Sequence, residues 1–125
     1  SIEAAKVKQL LQFQISNFPA TAGQAKFQIL NKPTVADIKK SVAMGNPVLV
    51  LADGKTLDNP HFKNGGPVYH ALIVRGYTET HFITNDPGTR WGENFKYTYD
   101  NLMSSIHDWN DGDVKNGEAR IIVVK

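Results

Sequence analysis

His70 and Asp86 are the two residues of this chain best placed to move a proton between them. His70 opens the apolar run Ala71-Leu72-Ile73-Val74, and Asp86 closes the run Phe82-Ile83-Thr84-Asn85. If the two runs are strands of one hairpin, their outer ends meet. An imidazole held in one tautomer by a carboxylate is a general base. A loop centred on Thr78 pairs Gly76 with Thr80, Val74 with Phe82, Leu72 with Thr84 and His70 with Asp86. Directly opposed residues share a sheet face, with Cβ atoms about 4.5–5.5 Å apart. A two-residue turn at Thr78-Glu79 would instead put the pair on opposite faces, because side chains alternate with period two. The functional reading therefore requires a three-residue loop, or a bulge elsewhere. The competing reading is structural: a strand histidine satisfied by a backbone carbonyl, and Asp-Pro-Gly as turn chemistry.

The remaining candidates are weaker. The chain has no cysteine, which excludes a disulfide scaffold and a thiolate metal site. His61 with His70 and Asp86 would make a His/carboxylate zinc set, but the spacing matches no compact metal signature, so no metal is expected. His81 neighbours Phe82 and should point away from it, and His107 near a helix end suits a structural role. Trp91 is a candidate wall of a substrate cleft beside His70, with a core or lid aromatic as the equal alternative. Asn85 is read as a loop hydrogen-bonder, and Tyr97 and Tyr99 as one packed strand face. Gly65-Gly66-Pro67 lacks the helix and lysine of a phosphate loop.

The elements that must position these residues follow from periodicity and turn chemistry. Ile2, Ala5, Val7, Leu10, Leu11 and Ile15 recur at helical spacing, predicting a helix from Ile2 to Ile15, with Pro19 and Gly23 bracketing a loop. Phe27 to Leu30 alternates as a short strand. Thr34 with Asp37 three residues on is an N-cap signature for a helix carrying Val35, Ile38, Val42 and Ala43, ended by Gly45 and Pro47. Val48 to Leu51 is a buried strand. Asp53 to Pro67 is a long Gly/Asn/Asp/Pro loop, of a length that is usually functional or disordered. Strands are predicted at Tyr69–Tyr77, Thr80–Asn85, Phe95–Tyr99 and Ala119–Val124, with Asp100 capping a helix from Asn101 to Trp109. Helices first, then hairpin-connected strands, predict a single α+β domain with an antiparallel sheet.

Composition narrows the function classes. The 125 residues fit one domain, and 41% hydrophobic content is enough for a core. A net charge of +2 is too small to argue for nucleic acid by bulk electrostatics. The longest apolar runs are far too short to span a bilayer. Ser1-Ile2-Glu3 has neither the basic start nor the apolar stretch of a secretory signal, and without an initiator methionine the chain reads as a processed product or a piece of something longer.

Taken together, these motifs carry a family resemblance. A short helix leads through Gly45-Asn46-Pro47 into Val48-Leu49-Val50; then come Gly66, His70, Val74, Gly76 and Tyr77, and Asn85-Asp86-Pro87-Gly88 with Gly92 and Tyr99. This ordered set resembles the papain-like cysteine peptidases related to the bacteriocin-processing (double-glycine leader) peptidases, over about residues 34–109. The resemblance implies a papain-like fold in which a helical part bears the nucleophile and an antiparallel sheet bears the base. It assigns His70 as general base and Asp86 as the residue that orients it, acting on a peptide or protein substrate without a cofactor. The family's cysteine and its oxyanion glutamine precede the Gly-x-Pro strand. Ser1-Ile2-Glu3 does not match that opening, no Ser-Gly-Pro or Ala-Gly-Pro replaces it, and Gln9, Gln12 and Gln14 read as solvated helix positions. The cysteine is therefore expected upstream of Ser1 or on a companion N-terminal fragment, in a bacterial secreted or surface-associated protein. Two alternatives stay open: a catalytically inactive relative that binds extended peptides along a strand edge, and a structural domain.

Overall fold

The computed structural model describes residues 27–87, 90–108, 110 and 113–125. The helix expected over Ile2–Ile15 lies outside them. In chain order the elements are β1 (Phe27–Asn31), α1 (Val35–Ala43), β2 (Val48–Ala52), β3 (His70–Tyr77), β4 (His81–Asn85), β5 (Glu93–Thr98), α2 (Tyr99–Ser105) and β6 (Arg120–Val124), with short 3-10 turns at Lys63–Gly65 and Val114–Asn116. The six strands form one antiparallel sheet in the order β1-β6-β2-β3-β4-β5. The α+β architecture is the expected one. No helix among the described residues is long and apolar enough to cross a membrane.

Helix α1 begins where the sequence signals it. The Thr34 Oγ1 accepts the Asp37 N–H at 3.1 Å, and the Asp37 carboxylate accepts the Thr34 N–H at 2.9 Å, a reciprocal capping box. Ile38 drops from this helix into the core and is fully buried. Thr34→Ala is expected to destabilise the protein by about 1 kcal/mol, read from urea denaturation midpoints.

Helix α2 departs from expectation. Its cap is Thr98, whose Oγ1 accepts the Asn101 N–H at 3.2 Å, and Asp100 sits in the first turn, where its charge suits the helix dipole. The helix is also shorter than predicted. At Ile106 the chain leaves it to bridge Ala52, the Asp53 N–H donates to the Ser105 carbonyl and the His107 N–H to the Leu51 carbonyl. This pairing replaces further helical turns.

The core fills one sheet face. Val48, Val50, Leu72, Val74, Phe82, Tyr97, Ile121 and Val123 point to the side covered by α1 and α2, together with Ile38, Leu102 and Ile106. Leu49, Leu51 and Ile122 point to the other side. The β3 burial pattern places His70, Leu72 and Val74 on the core side.

The β3–β4 register corrects the predicted pairing. Tyr77 faces Phe82 and Gly76 faces Ile83, whereas Val74 faces Thr84 and Ile73 faces Asn85. The turn does not centre on Thr78. The Thr78 N–H donates to the His81 carbonyl at 2.7 Å, and the Thr78 Oγ1 accepts N–H groups from Thr80 and His81, which moves the apex between Glu79 and Thr80. That register alone would put His70 and Asp86 on opposite faces. The irregularity between Val74 and Gly76 takes up one residue, Arg75, and reverses the parity.

Candidate active site

The bulge brings the two groups together. Extending the register past Asn85 sets Asp86 level with Leu72, so His70 meets it diagonally rather than face to face, within reach of two polar side chains. The His70 Nε2 lies 2.5 Å from the Asp86 Oδ1, with the histidine 9% and the aspartate 3% exposed. On its other edge His70 flanks Ala52 of β2. Phe62 packs edge-on to the imidazole at 5.3 Å between ring centroids. The carboxylate therefore engages Nε2, and among the described residues Nδ1 has no hydrogen-bond partner.

Asp86 is itself held in place. Its Oδ2 accepts the Tyr97 hydroxyl at 2.5 Å, and the Tyr97 oxygen accepts the Asn59 Nδ2–H at 2.9 Å. The Asn59 Oδ1 in turn accepts the His61 N–H at 2.9 Å, tying the long loop to the same network. The Asp86 N–H donates to the Gly92 carbonyl at 2.9 Å, closing the turn after β4. Four side chains from β3, the β4 end, β5 and the loop thus form one buried line, Asn59–Tyr97–Asp86–His70. In a low-dielectric interior such a network is strong when every member is satisfied.

The alternation of Tyr97 with Lys96 and Thr98 predicts only a place on a packed strand face. The signal that points further is its inward position: a phenol buried among apolar neighbours needs a partner for its hydroxyl. Burial, then the hydrogen bond to Asp86, pushes its pKa well above the ordinary 10, so it remains a donor. The sign of the linkage follows. The folded state keeps a proton that the unfolded chain releases above pH 10, so this contribution to stability is complete below that value and is lost as pH rises beyond it. Tyr97→Phe is expected to cost about 1–3 kcal/mol at neutral pH, since the carboxylate loses a donor and Asn59 its acceptor. The variant should also unfold with a shallower loss of stability between about pH 9 and pH 11, measured by urea titration.

In front of His70 the surface opens into a cleft of about 1070 Å³. Trp91, half exposed, lies on the same cleft as His70. Its indole stacks with the His61 ring at 4.5 Å, and the Arg90 guanidinium lies 4.3 Å from its centroid. His61 thus joins the cleft wall rather than the His70–Asp86 pair. Among the described residues, no group of three or more histidines and carboxylates is arranged to hold a metal. The other histidines stand apart: His81 Nδ1 meets the Thr80 hydroxyl, and His107 meets the Gly117 and Ser104 carbonyls. The Asn85 Oδ1 accepts the Asn94 N–H at 3.3 Å, a loop contact.

Comparison with known proteins agrees with this architecture. The sequence matches the Peptidase_C39 like family over residues 5–112. The fold superposes on the crystal structure of a protein from Bacillus anthracis assigned as a C39-like peptidase, with a TM-score of 0.55 and 15% identity, over 80% of this chain and 51% of that one. The chain thus spans about half the length of that protein. No curated protein matches the sequence significantly.

Proposed function

The chain belongs to the Peptidase_C39 like family, and from that premise we propose that His70 and Asp86 are the general-base part of a thiol peptidase site whose sulfur is supplied from outside these 125 residues, by the same polypeptide or by a companion N-terminal fragment. The observation that carries this reading is the 2.5 Å contact between the His70 Nε2 and the Asp86 Oδ1 at the head of a cleft, with Nδ1 left for a second partner. A hydrogen bond on one ring nitrogen sets the tautomer and aims the other.

The chemistry follows from that aim. The imidazole Nδ1 takes the proton of a cysteine thiol, giving a thiolate–imidazolium pair. The thiolate attacks the peptide carbonyl carbon. As the C–N bond breaks, the imidazolium returns the proton to the leaving amine and a thioester remains. His70 then deprotonates water, which attacks the thioester and releases the acid and the thiol. Asp86 stays ionised throughout, and its charge stabilises the imidazolium. Tyr97 and Asn59 do not touch the reacting atoms; they position Asp86.

The reading is tested on the native polypeptide isolated with any bound partner. Alkylation with a peptidyl epoxide should label one cysteine, and His70→Ala should slow the labelling. A native protein and partner with no cysteine that reacts would overturn it. That outcome would favour the second reading, an inactive relative that binds peptides in the same cleft, to which the absence of cysteine from these residues lends support.

A further inference from the structure

The cleft in front of His70 carries a charge pattern that peptide hydrolysis does not require. Lys55, Lys63 and Arg90 line it, and among the described residues no acidic side chain does. Two carboxylates close by are already committed. Asp53 is buried, its carboxylate accepting the Lys55 N–H at 3.0 Å and the Thr56 hydroxyl at 2.9 Å. Asp86 is buried behind the imidazole. Two of the three cations, Lys55 and Arg90, are also held by contacts of their own. The Lys55 ammonium donates to the Asn64 carbonyl at 2.9 Å, and the Arg90 guanidinium lies against the Trp91 ring at 4.3 Å from its centroid. A stacked guanidinium keeps its planar fork of donors free for a carboxylate. The whole chain has a net charge of only +2, so this clustering is local.

We propose that this cleft selects peptides bearing an acidic side chain beside the bond presented to His70, with Arg90 and Lys63 receiving the carboxylate and Trp91 covering the neighbouring residue. The position of the scissile bond rests on the peptidase reading; the binding preference does not. Charges of one sign lining a concave wall focus the field on an incoming ligand, so the selection acts on encounter as well as on affinity.

The test uses the native polypeptide and two peptides of equal length that differ only in glutamate against glutamine. Calorimetry should give the glutamate peptide an affinity about tenfold higher, as expected for hydrogen bonds to a charged group. That preference should shrink at ~0.5 M salt, where the screening length is short. Arg90→Gln should reduce it severalfold. Arg90→Glu should transfer the preference to a peptide with lysine at the same position, a gain that misfolding cannot imitate. Equal affinities for the two peptides, or an unchanged preference in Arg90→Glu, overturn the proposal. Selective binding without cleavage would leave this inference standing and remove the hydrolytic one. Equal cleavage of both peptides would do the reverse.

Discussion

Replacing His70 with alanine is expected to lower peptide hydrolysis by the native polypeptide by ~10²–10⁴-fold, the usual worth of a positioned general acid–base. The loss should fall on kcat, with KM little changed, because in the proposed mechanism the imidazole acts on the proton in flight rather than on the bound substrate. Asp86→Asn is the more informative partner. An amide keeps the shape of the carboxylate and can accept from the His70 Nε2–H, but it brings no charge to the imidazolium. Its side-chain nitrogen can also compete for the Tyr97 oxygen, which already accepts from Asn59. Activity between that of the native protein and His70→Ala is expected. Equal activity in all three, measured at saturating peptide, would remove both residues from the chemistry.

Gly92→Ala is expected to be the most damaging single methyl in the site. A Cβ added there falls 1.5 Å from the Asp86 carbonyl oxygen and 2.6 Å from its carbon. Both partners are backbone, so no rotamer change relieves the overlap. The turn must open, which breaks the Asp86 N–H to Gly92 bond and carries the carboxylate away from His70. A stability loss of about 3 kcal/mol is expected, with Tm falling by roughly 10 °C. Hydrolysis should fall with it, even well below the new Tm. Gly76→Ala is the control, because its added Cβ meets only the Ile83 side chain at 3.5 Å, an ordinary contact. A Gly92→Ala protein as stable as native would show that the turn after β4 is not the support of Asp86.

Much of this was legible in the sequence where the cause is local. The Thr34/Asp37 cap, the buried run from Val48 and the hairpin strands each follow from side chains within a few residues. The His70–Asp86 approach was legible as a condition, a parity that a bulge could satisfy. It was not legible as a register, because the turn apex depends on whether the Thr78 hydroxyl captures the following N–H groups. The end of α2 was misplaced because a non-local partner, the Leu51–Ala52 edge, competes for the chain at Ile106. The roles of Tyr97 and Asn59, and the gathering of Lys55, Lys63 and Arg90, depend on residues up to 38 positions apart in the chain. No short window of sequence holds such an arrangement.

The extra residue at Arg75 has a consequence for how this hairpin can change over time. Its length and the length of the turn at Glu79-Thr80 form a locked pair. One deletion in either place sends the imidazole and the carboxylate to different sides of the ribbon, while a deletion in both restores them. Indels in this hairpin should therefore be tolerated in couples of odd length and rejected singly. A deletion scan scored for activity would show that checkerboard directly.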